Sequence, residues 1–402
     1  MRHARMSNGL EIITETMPSM RSCALGFFVR CGARHETPER AGVSHFLEHM
    51  VFKGTPTRTA QDVNRELDAM GISFNACTTE ESTTYYASLL PEYLEPCLDV
   101  FTDILRPSLR EADFRSEKEV VLEEIGMYED TPPFCVDEKI RSAFFPNQPL
   151  GNSVLGNRES VSSLTVEQMK QYFHERYTWS NMVLCVCGCF DEKQLFDRRW
   201  PGRLEPVPKV VPMAKPLQTW TPEIHCMTHP LATQQYVLQC SRAPAAYSEE
   251  RFAARLLASI LGDDPGSRMY WELVDSGRAE CASMGYIEYS DAGIFVVNLS
   301  CEPEEWEKNW QSVERLFQNV ESGDITEKEL SLAKNRLATA TVLGNECPSG
   351  RLFGAGYEWL HHQKHFSVAE EVERFRAVTL DDLAELLKKY PPSQGLIYSV
   401  GP

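Results

Sequence analysis

The densest group of residues able to do chemistry is Gly42-Val43-Ser44-His45-Phe46-Leu47-Glu48-His49-Met50. On a helix each residue advances by about 100°. Val43, Phe46, Leu47 and Met50 then form an apolar stripe, and His45, Glu48 and His49 gather on the opposite side. Imidazoles at i and i+4 stand one turn apart, close enough to bind one zinc ion at ~2.0–2.1 Å. The carboxylate between them points the same way and can act as general base towards a water molecule. The competing reading is an amphipathic helix whose polar face happens to carry two histidines and a glutamate.

A catalytic zinc needs a third protein ligand and one open position. The carboxylate-rich segment from Asp113 to Tyr128 has a helical apolar stripe of Phe114, Val121, Ile125 and Tyr128. Glu117 and Glu124, seven residues apart, share one flank of that stripe, while Glu119 and Glu123 point away to solvent. Glu124 is therefore the expected buried third ligand, with Glu117 one helical step behind as a supporting carboxylate. The candidate metal ligands are His45, His49 and Glu124 for one zinc per chain, and the candidate catalytic carboxylates are Glu48 and Glu117. The chemistry they suggest is metal-assisted hydrolysis. Glu48 would take a proton from water and pass it to the leaving group.

These elements sit in the first of two similar halves. A stretch with five prolines, Pro201 to Pro216, reads as a linker. It leaves a zinc-binding half at 1–200 and a similar half at 217–402. The segments LEIITETM and SCALGFFVRCG before it correspond to EIHCMTH and QQYVLQCS after it. Near the two ends, helices opening at Thr165 and Thr379 with a capping-box pattern lead into NMVLCVCG and GLIYSVG. Glu117-Lys118-Glu119 recurs as Glu327-Lys328-Glu329, an offset of 210. The expected fold is α+β, with two homologous sandwich-like halves of mostly antiparallel sheet and packed helices forming a clamshell. The same offset maps His45, Glu48, His49 and Glu124 to Arg255, Ala258, Ser259 and Lys334. No ligand survives in the second half, so the fold unit itself does not require them.

His45-x-x-Glu48-His49, the inverse of H-E-x-x-H, is followed by Glu124 with 74 residues between. This arrangement resembles the pitrilysin/insulinase-type zinc metallopeptidases, an inverzincin family. The match is nearest to the short bacterial members that are like mitochondrial processing peptidase. NGLEII, GARHE, HFLEHMVFKGT, FNACTTEESTTYYASLL and EKEVVLEEIGMYEDTP carry the likeness. The resemblance implies that Asn75 and Ala76 lie on a sheet edge to which an extended peptide adds by main-chain hydrogen bonds. The competing reading for them is an ordinary paired strand. Relatives also carry an Arg followed by a Gly-Leu-Ala-Tyr-like run that contacts substrate. Here Glu280, after Arg278 and Ala279, stands where the Tyr would be, with Tyr286 or Tyr289 as possible replacements.

Composition narrows the partners. The 402 residues are 42% hydrophobic and 24% charged, a globular balance. The 40 basic against 58 acidic residues give −18, which repels nucleic acid. There is no signal-peptide or membrane-spanning run, and the 13 cysteines lack disulfide-like spacing, so a cytoplasmic location is expected. Cys185, Cys187 and Cys189 read as buried core on one strand face, and His361, His362 and His365 as a solvated helix face. The expected partners are a peptide substrate and a second chain, in a homodimer or a heterodimer with a related chain. The competing functions are a non-catalytic or partner-dependent subunit of such a heterodimer and a zinc-stabilised peptide-binding protein without turnover.

Overall fold

Apolar runs bounded by turns become strands, and those long enough and periodic at 3.6 become helices. The computed structural model describes residues 1–202, 223–263 and 265–402. Apart from Pro201 and Gly202, the expected linker at 201–216 lies outside the described residues. The strands are β1 (Arg2–Arg5), β2 (Glu11–Thr16), β3 (Cys23–Val29), β4 (Ser73–Thr78), β5 (Thr83–Leu89), β6 (Met182–Gly188), β7 (Glu223–Thr228), β8 (Gln235–Ala243), β9 (Cys281–Glu288), β10 (Gly293–Cys301) and β11 (Gly395–Gly401).

They form one sheet in the order β1-β2-β6-β3-β5-β4 and another in the order β7-β11-β8-β10-β9. Without β1 the two orders are the same, and each has its single parallel pair in the same place, β2 with β6 and β7 with β11. The register repeats as well. Thr78 lies opposite Thr83, and Glu288 lies opposite Gly293, each 210 residues further on. The α+β duplication expected from sequence is thus present strand for strand. Strand β1, pairing antiparallel with β2, was not anticipated, because RHAR is mostly exposed and has no apolar alternation.

The units differ from the expected halves in one respect. Unit 1 comprises Met1–Ile125, Asn152–Val211 and Leu343–His365, and unit 2 comprises Gly126–Gly151, Pro212–Val342 and Phe366–Pro402. Each unit therefore takes a helical segment from the other half of the sequence. The physical cause is that both faces of each sheet are apolar and both need covering. In unit 1, Ile13, Ala24, Phe28, Val183, Cys185 and Cys187 are covered by Leu352 and Ala355 of the Pro348–His362 helix. In unit 2, Val136, Ile140 and Phe144 of the Pro132–Phe144 helix cover Leu238, Cys240, Ile294 and Leu396.

Cys185 and Cys187 are buried with sulfurs 3.8 Å apart, while Cys189 lies beyond the strand end and is only half-buried. The described cysteines are all free. No described helix is long and apolar enough to cross a membrane.

The Pro348–His362 helix approaches its sheet closely at Gly356. A Cβ there would lie 2.2 Å from the ring of Phe28, which is fully buried and cannot move aside. Helix propensity alone would favour Gly356→Ala by about 1 kcal/mol. Overpacking costs about 1–3 kcal/mol and outweighs it. Gly356→Ala should therefore lower the urea midpoint.

Candidate metal centre

Helix α1 (Val43–Val51) buries Val43, Phe46, Leu47, Met50 and Val51 in the core of unit 1, as its 3.6-residue period requires. Its N-terminus has no side-chain cap of its own. Gly42 is left-handed at φ +88, and a Cβ there would meet the Leu155 carbonyl oxygen at 2.5 Å. Glu36 does the capping from outside, its carboxylate accepting from the Gly42 and Ser44 N–H groups at 2.7 Å each. The Ser44 hydroxyl meets Tyr172 at 2.8 Å, tying the first turn to the core.

Helix α2 (Glu111–Glu129) is joined to α1 by the stacked rings of Phe46 and Phe114, 4.7 Å apart. This contact places the carboxylate flank of α2 over the imidazoles of α1. His45 Nε2 and His49 Nε2 both lie 3.6 Å from the same Glu124 oxygen, Oε2. One ligand atom from each of the three residues lies within 4.8 Å of the others. Tetrahedral ligands at ~2.0–2.1 Å from zinc stand about 3.4 Å apart, close to the two histidine-to-glutamate distances of 3.6 Å.

The protonation pattern fits as well. Burial, then the neighbouring His49, pushes His45 down to about 3, so its ring is neutral and presents a lone pair. His49 Nδ1–H donates to Glu117 Oε1 at 3.0 Å, which turns the bare Nε2 towards Glu124. Lys53 Nζ lies 2.5 Å from Glu117 Oε2 and balances that carboxylate. Two imidazoles and a carboxylate are a donor set that zinc takes in catalytic sites.

Among the carboxylates the burial differs from expectation. Glu117 is buried and Glu124 only half-buried, because Glu117 is enclosed between His49 and Lys53. Glu119 and Glu123 are exposed, as their helical angles require.

Glu48 lies on the same side of α1 and accepts from the Thr78 hydroxyl at 2.6 Å. Burial raises its pKa, opposed by the Thr78 bond and by His49. Strand β4 ends the sheet order and pairs with β5 alone. Its side chains alternate: Phe74 meets Phe52 beside α1 and Thr78 meets Glu48, while Cys77 lies 4.0 Å from Tyr357 on the other face. Ala76 therefore shares the face of the centre. Asn75 faces the other way, and its Oδ1 accepts from the Ala76 N–H at 2.8 Å.

Sequence reasoning missed Glu36, Lys53 and Thr78 as site residues. Lys53 stands four residues after His49, a helical spacing that could have marked it. Nothing local marks Glu36 or Thr78.

Two other expectations are corrected. His361 and His365 are not a solvated face. Their side chains are 15% and 19% exposed, beside Glu81 (3.8 Å) and Glu15 (3.5 Å), respectively. Nor do Tyr286 and Tyr289 present free hydroxyls to replace a missing Tyr. Tyr286 donates to the Pro244 carbonyl at 2.6 Å, and Tyr289 is buried in the core of unit 2. Glu280 is bonded to Gln234, and Arg278 meets Glu272 (3.1 Å) and Ser312 (3.0 Å).

Unit 2 fills the equivalent positions with other chemistry. Arg255, at the place of His45, pairs with Glu288 (2.6 Å) and Glu371 (3.2 Å). Ser259, at the place of His49, donates to Asp263, and Lys334, at the place of Glu124, donates to the Arg376 carbonyl.

Fold and site together define a protein of two homologous α+β units with a His-His-Glu centre in one of them. The family model described as Insulinase (Peptidase family M16) matches residues 11–158, and that described as Peptidase M16 inactive domain matches residues 163–337. The chain belongs to peptidase family M16, the insulinase family. A Bacillus subtilis relative named as an uncharacterized zinc protease, YmxG, is 31% identical over 388 residues, 95% of this chain and 93% of its own. A Mycobacterium bovis relative, likewise named an uncharacterized zinc protease, is 31% identical over 95% of this chain and 89% of its own. The structure of a Helicobacter pylori protease superposes with TM-score 0.93 at 20% identity, covering 100% of this chain and 99% of that one. A peptidase M16 inactive domain structure from Pseudomonas fluorescens gives 0.88 at 16%, covering 100% and 97%. At those identities the two structures establish the shared fold.

Two measurements test this construction. Burial, partly offset by the Ser44 and Gly42 bonds, pushes Glu36 up from 4.5 to about 7. Its proton is thus held more tightly in the fold than in the unfolded chain. The resulting stability is complete below about pH 4.5 and is lost as pH rises through about 7. The urea midpoint should fall between pH 5 and 8, and Glu36→Gln should flatten that dependence. Separately, Lys53→Met should weaken zinc affinity about 10-fold in a chelator competition, because it unbalances the carboxylate that orients His49.

Proposed function

We propose that the chain is a zinc-dependent endopeptidase acting on extended peptides or unfolded segments. The observation that carries this reading is the convergence of His45, His49 and Glu124, with Glu48 projecting from the same helix turn as the two histidines. Zinc held by those three residues would supply a Lewis acid for the scissile carbonyl and water of lowered pKa. Glu48 accepts the proton of the attacking water at a carboxylate oxygen and returns it to the leaving amine. Burial raises its pKa above that of an exposed carboxylate, which makes it a stronger base, and the Thr78 bond and His49 oppose that rise. Glu117 holds the His49 tautomer that faces Glu124. The free edge of β4 offers main-chain groups to an extended segment, with an added strand taking the place of the Asn75 side chain at the Ala76 N–H. Adding a strand there favours extended or unfolded segments over folded domains.

A second reading has one specific observation behind it. In unit 2, Arg278, Glu280 and Tyr286 are engaged internally, and the family model covering this part is described as inactive. That favours a subunit needing a second chain, either another copy or a related partner, for turnover.

Zinc content and cleavage of a mixture of unstructured peptides separate the two. The native chain and Glu48→Gln should each carry about one zinc, and only the native chain should cleave. Zinc in both with no cleavage by either would favour the partner-dependent subunit.

A further inference from the structure

We propose that Thr78 is a positioning residue that orients the base Glu48 and ties it to the edge strand β4, an inference that rests on the endopeptidase reading. Thr78 Oγ1 stands 2.6 Å from Glu48 Oε2, the short distance of a hydroxyl donating to a carboxylate. The direction of that bond follows from the carboxylate, which when ionised only accepts. Thr83, directly opposite Thr78 across the β4–β5 ladder, donates its own proton to the Cys31 carbonyl at 2.9 Å. Its oxygen can only accept from Thr78, and at 3.4 Å it is much further away than Glu48 Oε2 at 2.6 Å, so the Thr78 proton goes to Glu48.

Glu48 comes from α1 and Thr78 from the end of β4, so this one bond joins the base to the strand offered to a peptide. Thr78 shares its strand face with Phe74 and Ala76. A peptide adding to β4 therefore steadies the hydroxyl that aims the base.

The duplicated unit supplies an independent observation. The residue 210 positions on from Thr78 is Glu288, in the same register at the end of β9. There the base is replaced by Ala258, and the strand end carries a carboxylate that pairs with Arg255 at 2.6 Å. The fold accepts either residue at this position, and the hydroxyl occurs where the base occurs.

The test compares Thr78→Val, which keeps the shape and removes the hydroxyl, with Thr78→Ser, which keeps the hydroxyl. Each is assayed on one quenched-fluorescent peptide that the native chain cleaves. Thr78→Val should lower kcat about 10- to 100-fold with KM within about 3-fold of native and zinc content unchanged. Thr78→Ser should recover most of that loss. A native kcat for Thr78→Val overturns the inference and leaves the peptidase reading standing. So does a change confined to KM, a loss of zinc, or a kcat loss that Ser does not recover. If the zinc-loaded native chain cleaves none of the peptides, the peptidase reading falls and this inference falls with it.

Discussion

Two imidazoles on one helix and a carboxylate on another, with 74 residues between, must meet within a few ångströms. Helix α1 can present His45 and His49 one turn apart unaided. It cannot by itself place Glu124. The Phe46–Phe114 stack fixes the two helices against each other, and the bond from His49 to Glu117 pins the same pair of helices at a second point. Two contacts along α2 remove its freedom to slide or rotate, which a metal centre requires of its ligands. The buried Glu36 carboxylate at the head of α1 belongs to the same constraint. Burying a charge there is tolerated because the first turn offers N–H groups that need an acceptor.

The second unit shows what the same scaffold does without that demand. Strand order and register are retained, so the core can be built from the apolar pattern alone. The positions facing the centre are filled by groups that satisfy one another, with Arg255 between Glu288 and Glu371 and Ser259 bonded to Asp263. Polar residues at these positions still need partners, because the surrounding helix is buried on its other sides. In the first unit the corresponding groups bring one ligand atom each to within 4.8 Å of the others. The contrast between closed pairing and converging ligand atoms separates a structural polar cluster from a metal centre.

Much of this was legible from residue types and spacing. The face of α1 followed from the 3.6-residue period, because a buried stripe leaves only the opposite side for polar groups. The strands other than β1, the capping boxes at Thr165 and Thr379 and the duplication followed from local patterns that depend on no distant contact. That Glu124 lies on the flank facing His45 and His49 was also legible, since the angle around a helix is a local property. Its depth was not. Glu117 proved the more buried because Lys53 and His49 close over it, and burial is a sum over neighbours from other elements.

The sequence by itself therefore determined the elements, their repetition and the side of each helix on which the reactive groups lie, since these follow from periodicity and capping within a few residues. The tertiary structure alone decided the exchange of helices between units, the capping of α1 by Glu36 and the meeting of Thr78 with Glu48. Each of these joins segments whose own patterns are complete without the other. An apolar sheet face requires a cover and a buried carboxylate requires a donor, but neither requirement specifies which part of the chain supplies it.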